Sequence, residues 1–95
     1  MLERPRHKIR LLVAESFDLV RMGLCVLFKN HASIQLVAET GEVQGLFKLA
    51  AEHRPDVALV DLQLTDCSDI EHITELAQMH PQIKVLASSD FINKQ

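Results

Sequence analysis

The sequence predicts an α/β protein, a doubly wound parallel sheet with helices on both faces. Short, almost unbroken apolar runs alternate with longer segments whose apolar residues recur at helical spacing. The runs also lack the polar alternation of a strand with one wet face, so they read as strands buried on both sides. The chain has 95 residues, 47% of them hydrophobic and 24% charged. That is enough for one small domain, placed at 8–95, with a stability margin of about 5 kcal/mol.

The elements follow in order. After a polar lead, Ile9, Leu11, Leu12, Val13 and Ala14 form an apolar run too short for a helix, giving strand one at 8–14. Beyond Glu15, Ser16 and Asp18, the residues Leu19, Val20, Gly23, Leu24, Leu27 and Phe28 recur at helical spacing up to Lys29 and Asn30. Asp18 suits the N-cap or the first turn, where an acid complements the helix dipole. Residues 33–38 read as strand two. Residues 42–53 read as helix two, with Leu46, Phe47, Leu49 and Ala50 on one stripe and Arg54-Pro55 as the stop. Residues 56–61 form strand three, ending on Asp61. Ile70, Ile73, Leu76, Ala77 and Met79 mark helix three, which Pro81 ends, and 83–87 supplies strand four.

Charge and cysteine usage narrow the function. A formal net charge of -3 lacks the positive excess that nucleic-acid phosphates or an anionic membrane select, so no direct nucleic-acid contact is expected. No apolar run approaches the length of a membrane span and none has the form of a signal peptide. Cys25 and Cys67 form no metal-spaced cluster, and Cys67 has no cationic neighbour to activate it. The expectation is a reduced, cytoplasmic chain without zinc. His7, His31, His53, His72 and His80 are scattered near element ends and read as solvated. No nucleophile-base pair or glycine-rich phosphate loop marks an enzyme, which sets an unrelated small α/β enzyme aside.

Ligands of open doubly wound sheets bind outside the carboxyl ends of the strands, at the switch point of strand order. Glu15-Ser16, Asp61 and Ser88-Ser89 end strands one, three and four, and the fold brings them together. Carboxylates with a backbone carbonyl and waters suit Mg²⁺. Helix one carries Met22, Cys25 and Val26 on a further apolar side. That side is either incidental surface or an interface with a partner or a second copy.

The stretches Ile9-Arg-Leu-Leu-Val-Ala-Glu-Ser, Leu19-Val-Arg-Met-Gly-Leu, Arg54-Pro-Asp-Val-Ala-Leu-Val-Asp-Leu and Pro81-Gln-Ile-Lys-Val-Leu stand in order along the chain. Together they resemble the flavodoxin-like receiver domains of two-component response regulators, most closely those preceding a LuxR/NarL-type DNA-binding domain. The resemblance implies that Asp61 accepts a phosphoryl group from a histidine kinase and that Ser89 contacts that group. It further implies that Glu15, Asp61 and Gln63 hold Mg²⁺, and that the domain controls an output, transcription, without turning over a metabolite.

The departures count as well. Ser16 stands where relatives carry a second acid, which weakens or removes Mg²⁺ binding and otherwise marks Ser16 as a spectator. Thr65 and Asp69 replace a proline and a glycine. Neither Lys84 nor Lys94 matches the lysine ending the family's fifth strand. The resemblance therefore implies a receiver fold that is incomplete, lacking strand five and its flanking helices, with strand four as an open apolar edge. Such an edge recruits a second chain or a homo-oligomer. An alternative is a degenerate receiver that dimerises or binds partners without phosphorylation.

Overall fold

The computed structural model describes residues 8–64 and 69–88. In chain order they form β1 (Ile9–Ala14), α1 (Asp18–Lys29), β2 (Ile34–Thr40), α2 (Val43–His53), β3 (Val57–Asp61), a 3₁₀ turn at Leu62–Leu64, α3 (Asp69–Met79) and β4 (Lys84–Ser88). All strand pairings are parallel, and the order across the sheet is β2-β1-β3-β4. Because β1 pairs with both β2 and β3, strand order reverses at its end, the switch point expected from the sequence.

The main core cluster lies on one face of the sheet, while Leu11 and Val13 of β1 and Cys25 of α1 are buried on the other. Leu12 and Ala14 of β1 and Ala58 and Val60 of β3 pack against Leu46 and Ala50 of α2 and Leu76 of α3, with Ile83 closing the edge. Leu46 and Ala50 lie four positions apart, one turn of helix, so α2 buries a narrow stripe. The helix ends at Arg54, the one non-glycine residue with positive φ among those described (φ 46°). Its carbonyl accepts from Arg10 Nη1 at 2.9 Å, and the buried Pro55 follows.

β2 runs two residues past the expected strand, and its register explains why. Leu11 pairs with Leu36 but Leu12 pairs with Ala38, so Val37 is bulged out. Past the bulge, Ala38 sits beside Leu12 on the core face, Glu39 beside Val13 on the opposite face, and Thr40 beside Ala14. One extra residue thus places the Glu39 carboxylate on the α1 side, which matters for the site.

Helix one departs from expectation. Its N-cap is Phe17 without a side-chain cap, and Asp18 is the first helical residue, so the first-turn role holds and the N-cap role does not. The apolar residues do not all face inward. Of the expected inward stripe, Leu24 and Phe28 are half-buried, but Leu19 is 82% exposed and Val20 and Leu27 are exposed as well; on the further apolar side Cys25 is buried while Met22 and Val26 lie at the surface. The helix covers β1 and β2. Toward β3 and β4 it leaves an apolar groove of about 300 Å³ between Phe28, Leu59 and Leu86. On α3, Ile73 and Leu76 face inward while Ala77 and Met79 are exposed, a narrower stripe than the periodicity gives. His53, His72 and His80 are half-buried, not solvated, and His72 meets the Phe47 ring edge-on at 6.3 Å.

Candidate functional site

β1 and β3 end side by side. Ala14 pairs with Val60, so the next residues, Glu15 and Asp61, emerge at the same end of the sheet. Both are buried, Glu15 at 7% and Asp61 at 3% exposure, in an otherwise apolar interior. Burying a carboxylate is costly unless its oxygens are hydrogen-bonded, and the local chain supplies the donors. The Asp61 Oδ1 atom accepts the Gln63 N–H at 3.0 Å, a bond that starts the 3₁₀ turn. The Oδ2 atom accepts the Ser16 hydroxyl at 3.0 Å and faces the Ser16 N–H at 3.5 Å. Among the described residues, the Asp61 partners are thus neutral donors.

Ser16 is therefore no spectator. It stands where the resemblance places a second acid, and its hydroxyl presents a proton to Asp61 where an acid would present negative charge. Glu15 turns its carboxylate back on its own loop, with Oε2 accepting the Phe17 N–H at 3.1 Å. Its backbone is held on both sides: the N–H donates to the Thr40 carbonyl at 3.0 Å and the carbonyl accepts from Arg21 Nη1 at 2.8 Å.

Arg21 was not singled out in the sequence. The signal was there in the Asp18/Arg21 spacing, since residues three apart meet on a helix surface. Its Nη2 donates to Asp18 Oδ1 and its Nε to Glu39 Oε1, each at 2.8 Å. These acids raise the arginine pKa, the Asp18 hydrogen bond contributing most and partial burial opposing it. The neighbouring Cys25 thiol is pushed up as well, first by burial and then by Glu39, so it stays protonated and unreactive near neutral pH. Of the three suggested interface residues, Met22 and Val26 are surface-exposed and Cys25 is turned inward.

Ser89, Thr65 and Cys67 lie outside the described residues. Ser88, the last residue of β4, is half-buried and pairs in register with Asp61. The β4 edge has no further strand beside it among the described residues, and Leu86 on it is exposed. Among the described residues no cluster of three or more His, Cys, Asp and Glu gathers. A hard divalent cation would find two buried carboxylates, Glu15 and Asp61, with neutral oxygens around them. The donor set fits such an ion in kind, one charge short of what the resemblance leads one to expect. No described helix is long and apolar enough to cross a membrane.

A four-stranded 2-1-3-4 parallel sheet with an aspartate buried at the end of its third strand is the arrangement expected of one class, the receivers of two-component response regulators. Comparison with known proteins supports this assignment. The chain is 34% identical over 79 residues to the response regulator GacA of Pseudomonas viridiflava, covering 83% of this chain and 37% of that protein. It is 31% identical over 84 residues to the response regulator VraR of Staphylococcus aureus, covering 88% of this chain and 40% of that protein.

Among solved structures, a LuxR-family DNA-binding response regulator of Staphylococcus aureus superposes with a TM-score of 0.78 at 26% identity, over 90% of this chain and 71% of that one. The signal receiver domain of a NarL response regulator of Mycobacterium tuberculosis superposes with a TM-score of 0.81 at 23% identity, over 92% and 70%. No family model matches the chain. The chain spans about two fifths of the length of these curated relatives, and it is a response-regulator receiver in fold and sequence.

Proposed function

We propose that this chain acts as a phosphoryl-accepting receiver, with Asp61 as the acceptor and a histidine kinase as the donor. The observation that carries the reading is the buried Asp61 carboxylate at the switch point, its two oxygens each held by a donor from a different loop. A carboxylate so fixed meets an incoming phosphorus in one orientation, which is the main contribution a protein makes to phosphoryl transfer.

In the proposed step, one Asp61 oxygen bonds to the phosphorus of a phosphohistidine as the P–N bond breaks. The electron pair leaves with the imidazole nitrogen, which takes a proton from solvent, and the product is an acyl phosphate on Asp61. Glu15, Asp61 and the Gln63 carbonyl would hold Mg²⁺, which when bound offsets charge on the transferring group. Ser16 leaves that site one carboxylate short, so a higher Mg²⁺ concentration is needed to fill it. Ser89 would contact the transferred group. The modified domain would then control an output, which in the LuxR/NarL-type relatives of the resemblance is transcription, in the cytoplasm.

Phosphoramidate tests the reading, because it presents the same P–N bond as phosphohistidine. After incubation with it and Mg²⁺, borohydride reduction and peptide mapping should place the modification on Asp61. Modification elsewhere, or none in folded protein, refutes the acceptor role. The phosphorylation-independent interaction module would then be the better account, with exposed Met22 and Val26 as the first surface to probe.

A further inference from the structure

The Glu15–Ser16 peptide group stands between Arg21 and Asp61. Its carbonyl oxygen accepts from Arg21 Nη1 at 2.8 Å. Its N–H faces Asp61 Oδ2 at 3.5 Å, and the hydroxyl of the same serine donates to the same oxygen at 3.0 Å. In a planar trans peptide the carbonyl and the N–H point in opposite directions. A group that holds the carbonyl on one side therefore aims the N–H on the other.

Arg21 is placed to do that holding. Its three nitrogens go to three partners on separate elements: the Glu15 carbonyl beyond β1, Asp18 in the first turn of α1, and Glu39 on β2. Only a planar fork with separate donors meets all three at once. The bulge at Val37 is what brings Glu39 to this side of the sheet. Gly41 leaves room for the guanidinium, since a Cβ there would come within 2.5 Å of Nη1.

We propose that Arg21 is a positioning residue for Asp61, acting through the Glu15–Ser16 peptide to keep the Ser16 N–H and hydroxyl directed at the carboxylate. The inference rests on the reading of Asp61 as the acceptor. The cation on the carbonyl also polarises the peptide, strengthening the N–H as a donor. The Arg21 side chain is 19% exposed, but its acid partners Asp18 and Glu39 are 83% and 48% exposed, and solvent screening at that end limits what the two ion pairs add to stability. The role of Arg21 is therefore to orient the loop more than to hold the fold.

The test compares the wild-type chain with Arg21→Gln, Arg21→Lys, Gly41→Ala and Asp61→Asn. It reads the Ser16 amide resonance by NMR and the rate of phosphorylation by acetyl phosphate. Asp61→Asn fixes the direction in which the Ser16 amide proton moves when its charged partner is lost. Arg21→Gln should move it the same way and slow phosphorylation about tenfold, in keeping with what small misplacements do to reacting groups. Arg21→Lys keeps the charge but not the fork and should fall between. Gly41→Ala keeps the arginine but displaces it, and should act in the same direction as Arg21→Gln.

An unmoved Ser16 amide and an unchanged rate in Arg21→Gln and Gly41→Ala would overturn the proposal. If Arg21→Gln does not fold, Gly41→Ala alone decides. If wild-type protein takes no phosphoryl group, the acceptor reading fails, and the amide resonance still shows whether Arg21 positions Ser16.

Discussion

Replacing Ser16 by aspartate should make the fold depend on a divalent cation. The hydroxyl now donates to Asp61 Oδ2 at 3.0 Å. A carboxylate in its place would sit about 4 Å from that of Asp61, and at an effective dielectric constant near 20 two such charges repel by about 4 kcal/mol. The hydrogen bond to a charged acceptor, worth roughly 1.5–3 kcal/mol, is lost as well. Rotation of the new side chain toward solvent relieves part of this, leaving a net loss of about 2–4 kcal/mol from a total near 5 kcal/mol. For a domain of this size each kcal/mol moves Tm by roughly 4–8 °C.

The assay is thermal unfolding by circular dichroism of wild type and Ser16→Asp, each with EDTA and with millimolar Mg²⁺. With EDTA the variant should melt at least about 10 °C below wild type. Mg²⁺ should recover most of the difference, since a ligand at a hundred times its Kd contributes about 2.7 kcal/mol. Wild type should respond much less to Mg²⁺. Equal melting of the two proteins in EDTA, or an equal Mg²⁺ shift in both, would refute this account of the site's charge.

Three further substitutions test the packing that carries the site. Leu46→Ala removes a fully buried side chain between α2 and the sheet. It should cost about 2–5 kcal/mol, read by urea unfolding, enough to leave much of the chain unfolded. Gly45→Ala would push a Cβ into the Thr40 side chain. It should destabilise by about 1–3 kcal/mol despite the better helix propensity of alanine, and Thr40→Ala should restore most of the loss in the double variant. Arg54→Gly relieves the left-handed backbone at the end of α2. It should raise stability by about 0.5–1 kcal/mol, seen as a higher midpoint in the same urea titration.

The parts of this structure that were legible beforehand are those governed by one strong local signal. The runs of Leu11–Ala14 and Val57–Val60 contain no polar residue, so nothing competes with the buried-strand reading, and the sheet and its switch point follow from them. Pro55 and Pro81 marked where helices must stop. The end of β2 was hidden because Glu39 and Thr40 are polar and Val37 is bulged, which breaks the pattern where the strand continues. The exposure of Leu19, Val20 and Leu27 was hidden for another reason. Helical spacing shows that apolar residues share a face, but not how much of the sheet lies beneath it.

At the site, Asp61 and Glu15 were legible from strand ends alone. The part played by Ser16 was not, since a hydroxyl next to an acid in sequence gives no hint that it reaches an acid on another strand. Arg21 was missed because two of its three partners, Glu15 and Glu39, are brought to it by the fold and by a bulge that no local pattern announces.

The measurement that bears most directly on the central claim is intact mass after incubation with acetyl phosphate, in Mg²⁺ and in EDTA, with Asp61→Asn in parallel. A receiver with Asp61 as acceptor gains the mass of one phosphoryl group in Mg²⁺, gains less in EDTA, and gains none once Asp61 is replaced. Wild-type protein that is folded by circular dichroism yet unmodified in Mg²⁺, or an Asp61→Asn variant modified to the same extent, would contradict it.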